Sequence, residues 1–180
     1  MGTPKAFGCE MAVVGVLSSD PELDGPAIAG LEALFGPVVF RTEPEDFTWT
    51  DYYVPEMGTG IRRFYLAFGT LVDPSRLAEF KLATNGIEEN LATGGPRRVN
   101  LDPGLLAPGR FVLATTKDRA HRIALASGIF CELTLIYEKG AFHSLPWTYP
   151  DWASAPCREM LALWRKDLMA RLKSAEKPYC

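Results

Sequence analysis

Cysteine is scarce and scattered in this sequence: Cys9, Cys131, Cys157 and Cys180 form no C-x-x-C pair. A zinc knuckle or a thioredoxin-like redox motif needs two closely spaced thiolates, so neither is supported. Reduced thiols in a cytoplasmic protein are the plain expectation, with Cys131 acting as a small hydrophobe in an apolar strand. Histidine is scarcer still, at His121 and His143. No run approaches the ~18 uncharged apolar residues of a membrane helix. The start, MGTPKAFGCEMAVVGVLSSD, has one lysine, an apolar segment interrupted by Glu10 and no convincing cleavage site, so it does not read as a signal peptide. Positive charge is not in excess either: the formal net charge is -3, which argues against general nucleic-acid binding because a polyanion needs a positive field. No internal repeat or low-complexity tract is present.

What is present reads as a single globular domain over residues 1–180, with ends expected to fray at about 1–9 and 174–180. Its charge is uneven. Residues 1–60 hold two basic and ten acidic side chains, whereas residues 97–122 hold six basic and two acidic ones, and only the second stretch would welcome an anion. MAVVGVL at 11–17 reads as a strand buried on both faces. Asp24-Gly-Pro opens a short helix that Gly36-Pro37 closes. Strands follow at 38–41 and 61–71. Asp73-Pro74 starts a second helix with Leu77, Phe80, Thr84, Ile87 and Leu91 on one face. Further strands are read at 97–101 and 111–115, joined by Asp-Pro-Gly turn chemistry. A short helix from Asp118 to about Ser127, a strand at 129–137 and a closing amphipathic helix complete the pass. The order predicts an α+β fold: a ferredoxin-like split β-α-β core, with a mixed, mainly antiparallel sheet and helices on one face. A further β-α-β segment and a C-terminal helix extend it.

Chemistry is most legible where cations gather. Thr115-Thr116-Lys117-Asp118 lies between a predicted strand and a predicted helix start, with Arg119, His121 and Arg122 directly after it. Backbone N–H groups, hydroxyls and cations there suit a phosphate or carboxylate, although a capping Asp118 beside a solvated basic face reads equally well. His121 near a helix N-terminus would stay neutral and serve as a base or ligand, while a lone histidine is more often structural. Arg98, Asn100 and Asp102 alternate along RRVNLDPG, so they share one side of a strand and line either a cleft or a solvated edge. Lys81, Asn85 and Glu88 border the apolar stripe of the second helix, at the same cleft or on a plain helix surface. The aromatic segment 49–60 reads as a substrate-covering loop or as a core plug. Asp51, Glu56, Asp102, Asp118 and Glu132 are enough carboxylates for Mg²⁺, but no two have ligand spacing, so a divalent metal is left open and the cofactor unknown.

The stretches DYYVPEMG, ATNGIEENLA, RRVNLDPG, ATTKDRAHRI and LPWTYPDW resemble the bacterial family known as domain of unknown function 4416 over nearly the whole chain. Some members of that family carry the label "GTP-binding protein". A phosphate-cradling P-loop needs G-x-x-x-x-G-K-[ST], which no glycine of this chain begins. Thr116-Lys117-Asp118-Arg119 departs from the [NT]-K-x-D form of a guanine-specifying element by placing its acid one position early. P-loop GTPase activity is therefore not expected, and nucleotide binding by another geometry stays open.

Two functions fit. In the first, a small-molecule enzyme or binding protein holds a phosphorylated or carboxylated molecule, a nucleotide included. Lys117, Arg98 and Arg122 neutralise the anion, His121 or Glu132 moves a proton, Asp102 orients the ligand or a metal, and Thr115, Thr116, Asn100, Lys81 and Asn85 complete the lining. In the second, a non-catalytic module uses sheet edges and exposed Trp147, Tyr149 and Trp152 for self-association or docking.

Overall fold

A computed structural model of the chain describes residues 2–92 and 94–174. The tail expected to fray falls mostly at 175–180, outside the described residues. The elements run β1 (Glu10–Ser18), α1 (Asp24–Phe35), β2 (Val38–Arg41), β3 (Glu45–Asp46), α2 (Val54–Met57), β4 (Arg62–Val72), α3 (Leu77–Ala92), β5 (Val99–Leu106), β6 (Arg110–Thr115), β7 (Arg122–Ala124), β8 (Phe130–Glu138), β9 (Ala141–Ser144), α4 (Pro150–Ala153) and α5 (Ala155–Ser174).

The strands form one nine-stranded sheet in the order β2-β4-β1-β5-β6-β8-β7, with β3 on β4 and β9 on β8. Every described pairing is antiparallel, so the fold is α+β. β1 lies inside the sheet between β4 and β5 and is buried along all nine residues. Successive strand side chains point to opposite faces. Ala12, Val14 and Val16 accordingly pack with Leu31, Phe35 and Phe80 of α1 and α3, while Met11 and Val13 pack with Trp152, Leu161, Trp164 and Leu168 of α4 and α5. Helices therefore cover both faces, which corrects the expectation of helices on one face. The stripe of α5 that reads as buried in the sequence supplies the second cover.

Two expected elements are corrected. Residues 118–127 form no helix; the chain turns and Arg122, Ile123 and Ala124 pair with Glu132, Cys131 and Phe130 as an edge strand. The further β-α-β segment expected there is absent among the described residues, because the β6-to-β8 connection is this loop and strand. Asp102-Pro103-Gly104 is no turn either, since it lies inside β5 and pairs with β1 through Asp102↔Gly15, Pro103↔Val14 and Gly104↔Val13. The thiol reading is corrected at one position: Cys131 and Cys157 are free, whereas Cys9 is disulfide-bonded. Among the described residues no helix is long and apolar enough to cross a membrane.

Candidate functional site

The site begins where the sheet splits. β5 pairs with β1 from Val99 to Leu106 but with β6 only at Gly104, Leu105 and Leu106. β6 continues against β8 as far as Thr115, so its C-terminal half departs from the N-terminal half of β5. A strand left without its neighbour exposes backbone donors and acceptors that need partners. Side chains of α3 supply them: Glu88 Oε1 accepts the Leu101 N–H at 2.7 Å and Lys81 Nζ donates to the Leu101 carbonyl at 2.8 Å. Two residues on, Pro103 has no N–H to satisfy. Gly104 holds the junction where the strands part. A Cβ there would stand 2.4 Å from the Val112 carbonyl oxygen and 2.6 Å from the Phe111 ring, so a side chain would force β5 and β6 apart.

The opening is a cavity of about 1000 Å³. One wall carries a continuous ionic network. Arg63, on β4, is 7% exposed and donates to Asp102 at 3.0 Å and to Asp151 of α4 at 2.6 Å. Its guanidinium also lies 5.2 Å from the Trp152 ring centre. That packing depends on Gly15 beneath it, where a Cβ would meet Trp152 at 2.7 Å and Arg63 at 2.9 Å. Asn100 Nδ2 donates to Asp102 at 2.9 Å, and Asn100 Oδ1 accepts from Arg97 at 2.9 Å. Arg97 continues the chain to Glu88 and Glu56. Burial alone would raise the Asp102 pKa, but Arg63, Lys81 and the hydrogen bonds outweigh it and hold the carboxyl below its ordinary value. At Glu88 burial wins over Lys81 and Arg97, and the pKa is raised.

The opposite wall is organised by one guanidinium. Arg122 donates through Nε to Glu132 Oε2 at 2.8 Å, through Nη1 to the Lys117 carbonyl at 2.8 Å and through Nη2 to the Tyr149 hydroxyl at 2.9 Å. Glu132 is 1% exposed. His121 Nε2 meets the same Oε2 at 3.1 Å, and its ring stacks on Trp147 with centroids 4.9 Å apart. Glu132 Oε1 is buried and has no hydrogen-bond partner.

Above both walls, the segment between β3 and β4 covers the cavity with Trp49, Tyr52, Tyr53 and Glu56. Lys117 spans the mouth to it: Nζ donates to the Tyr52 hydroxyl at 3.0 Å and lies 4.3 Å from the ring centre. Arg119 also lines the mouth. Among the described residues neither cation is paired with a carboxylate, and both are exposed.

The sequence profile of one family matches residues 10–168, most of the chain and every residue of the cavity. The chain belongs to the family described as Domain of unknown function (DUF4416). This DUF4416 protein is also 30% identical over 112 residues to a protein of Rhodobacter capsulatus named GTP 3′,8-cyclase. The match covers 56% of the chain but 34% of the cyclase, so the chain spans about a third of that relative. No solved structure matches it.

Of the residues singled out from the DUF4416 sequence, Asp102, Glu132, Asn100, Thr115, Thr116, Lys117, Arg122, Lys81 and Asn85 all line this one cavity. Two do not. Arg98 precedes β5 and pairs with Asp20, which leaves the cavity to Arg97 one position earlier. His121 stands behind Glu132 and is not part of the lining. The helix start expected to offer N–H groups to an anion is absent, as the loop at 116–121 replaces it. Trp152 is 1% exposed, not the exposed aromatic that the docking reading needs. Among the described residues no group of three His, Cys, Asp or Glu side chains is placed to hold a metal. Arg63 and Asp151 went unrecognised as lining residues, whereas Arg119 is one of the cations read beside Lys117. Arg63 carried the one available signal, a charge inside an otherwise strand-forming run.

Proposed function

We propose that the cavity binds a small anionic molecule, phosphorylated or carboxylated, with its charged end at the mouth and its polar body against the inner walls. The observation that carries this reading is the contrast between the two regions. Inside, Arg63, Lys81, Arg97 and Arg122 each have a carboxylate partner, whereas among the described residues Lys117 and Arg119 at the mouth have none. Paired charges hold shape, whereas cations without a carboxylate partner, Lys117 on the neutral Tyr52 hydroxyl among them, can take up an anion. A nucleotide belongs to this class, and the match to a protein named for GTP makes nucleotides the first group to screen. Binding, rather than a particular reaction, is what the geometry supports: His121, one of the two expected proton carriers, is screened from the cavity by Glu132.

We also propose that β1, β2, β4 and β5 with α1 and α3 form a ferredoxin-like split β-α-β unit. The strand order β2-β4-β1-β5, with α1 between β1 and β2 and α3 between β4 and β5, is what a ferredoxin-like split β-α-β unit requires.

Calorimetric titration with pyrophosphate, ribose 5-phosphate and nucleoside phosphates tests the proposal. Saturable binding should weaken about ten-fold when Lys117 and Arg119 are both replaced by Ala, because each removes a charge-assisted contact. Absence of binding, or affinity indifferent to both substitutions, refutes it.

A further inference from the structure

Among the described cavity-lining carboxylates, Glu132 alone has a buried oxygen with no hydrogen-bond partner. Its Oε2 receives both Arg122 and His121, and its Oε1 receives nothing although the side chain is buried. A buried charged oxygen without a donor is costly, and nearby donors normally turn to meet it. They are not available here: the three Arg122 nitrogens are committed to Glu132, Lys117 and Tyr149, and the facing residues of β6, Leu113 and Ala114, are apolar in side chain. Asp102 differs, because Arg63 reaches one of its oxygens and Asn100 the other.

Surrounding surfaces narrow the donor that fits. Arg122 ties Glu132 to Tyr149, so an aromatic ring stands on the far side of the same guanidinium, and Trp49 and Tyr52 face the cavity from the cover. Flat aromatic walls beside a single acceptor favour a planar ring with an N–H on its edge. Arg122 joins Glu132 Oε2 to the Lys117 carbonyl, so the acceptor and the cationic loop belong to one wall. The free cations stand at the mouth on the loop that follows β6.

We infer that the ligand is a nucleotide whose base donates an edge N–H to Glu132 Oε1 while its phosphate meets Lys117 and Arg119. This rests on the anion-binding reading above and adds the base contact to it. Arg122 and His121 act as positioning residues: they fix Oε2 and leave Oε1 as the single acceptor.

The test compares ribose 5-phosphate with the adenosine, guanosine, cytidine and uridine 5′-monophosphates by calorimetry on the full chain. The base of each nucleotide carries an edge N–H that the sugar phosphate lacks. At least one nucleotide should bind about ten-fold or more tightly than ribose 5-phosphate, in line with a hydrogen bond to a buried charge. Glu132→Gln should remove that advantage, with the nucleotides and ribose 5-phosphate compared on the same variant. If ribose 5-phosphate binds as tightly as every nucleotide, the base contact is wrong and the anion site stands; this arm uses the unmodified protein and does not depend on the variant folding. A Glu132→Gln variant that folds and keeps the full nucleotide advantage also overturns it. If no phosphorylated probe binds, both readings fall together.

Discussion

Arg63 shows how much rests on single side chains here. Its guanidinium is the shared counter-charge of Asp102 and Asp151 and is packed among Trp152, Tyr65 and Phe47. Removing one member of a buried ionic set leaves the others desolvated and unpaired, which costs about 3–5 kcal/mol. Arg63→Ala should therefore destabilise the protein by that order at pH 7, measured by urea unfolding. The pH dependence has a definite sign. Asp102 is held below its ordinary pKa, so its stabilising contribution is present above the unfolded-state value and is lost as pH falls through the folded one. The difference between wild type and Arg63→Ala should shrink over that descent, because a protonated Asp102 no longer draws on the guanidinium. A difference that stays constant down to about pH 3 would separate Arg63 from the ionisation of Asp102. Neither Asp151 nor Arg63 was legible as a partner in the sequence. They are 88 positions apart and meet because β1 pairs with β4 and α4 returns over that face.

Among the elements, those written in local chemistry were the ones read correctly. β1 carries its burial in a β-branched run. α1 ends at Gly36, whose φ of 78° suits glycine and where a Cβ would stand 2.2 Å from Thr70 Oγ1. Asp73 caps the 3-10 turn that leads into α3, accepting the Ser75 N–H at 2.9 Å. The errors arose where tertiary pairing overrode local preference. Residues 118–127 have a capping aspartate and a closing glycine, yet pairing with β8 brings Arg122 onto Glu132 and turns that stretch into a strand. Asp102-Pro103-Gly104 has turn composition but occupies β5, where a missing N–H and a missing side chain are what a splitting sheet tolerates. The polar alternation of Asn100 and Asp102 was legible; its continuation was not, because β5 starts at Val99 and Arg97, off the strand's alternation, turns inward in place of Arg98. The join between α3 and β5 can be measured. Lys81→Met keeps the apolar stem but leaves the Leu101 carbonyl without its donor and Glu88 with Arg97 as its remaining cation. A loss of about 1–3 kcal/mol in unfolding free energy is expected. A change below about 0.5 kcal/mol would mean that this edge needs no cap from the helix.

At the scale of the whole molecule, the question is whether a sheet joined at its middle by three residue pairs behaves as one body. Backbone pairing alone would make the β5–β6 junction a weak seam. The cores cross it on both faces, however. Val112, Ala114 and Ile129 belong to the cluster under α1 and α3, and Phe111, Leu113, Leu135 and Phe142 to the cluster under α5. Each large apolar side chain buried there contributes about 1.5–3 kcal/mol, so side-chain packing across the seam outweighs the few hydrogen bonds absent from it. Amide exchange should therefore protect β1, β4, β6 and β8 to a similar, near-global level. Local opening should be confined to β7 and the loop before it, where the strand has three residues, lies at the sheet edge and leaves Ile123 70% exposed. Because Arg122 couples that edge to Glu132 and to the Lys117 carbonyl, a ligand that fills the cavity should slow exchange at 116–124 more than anywhere else. Exchange of β6 and β8 as fast as that of β7 would show that the seam divides the sheet into two independently opening halves. The cavity would then lie at a hinge instead of within a rigid body.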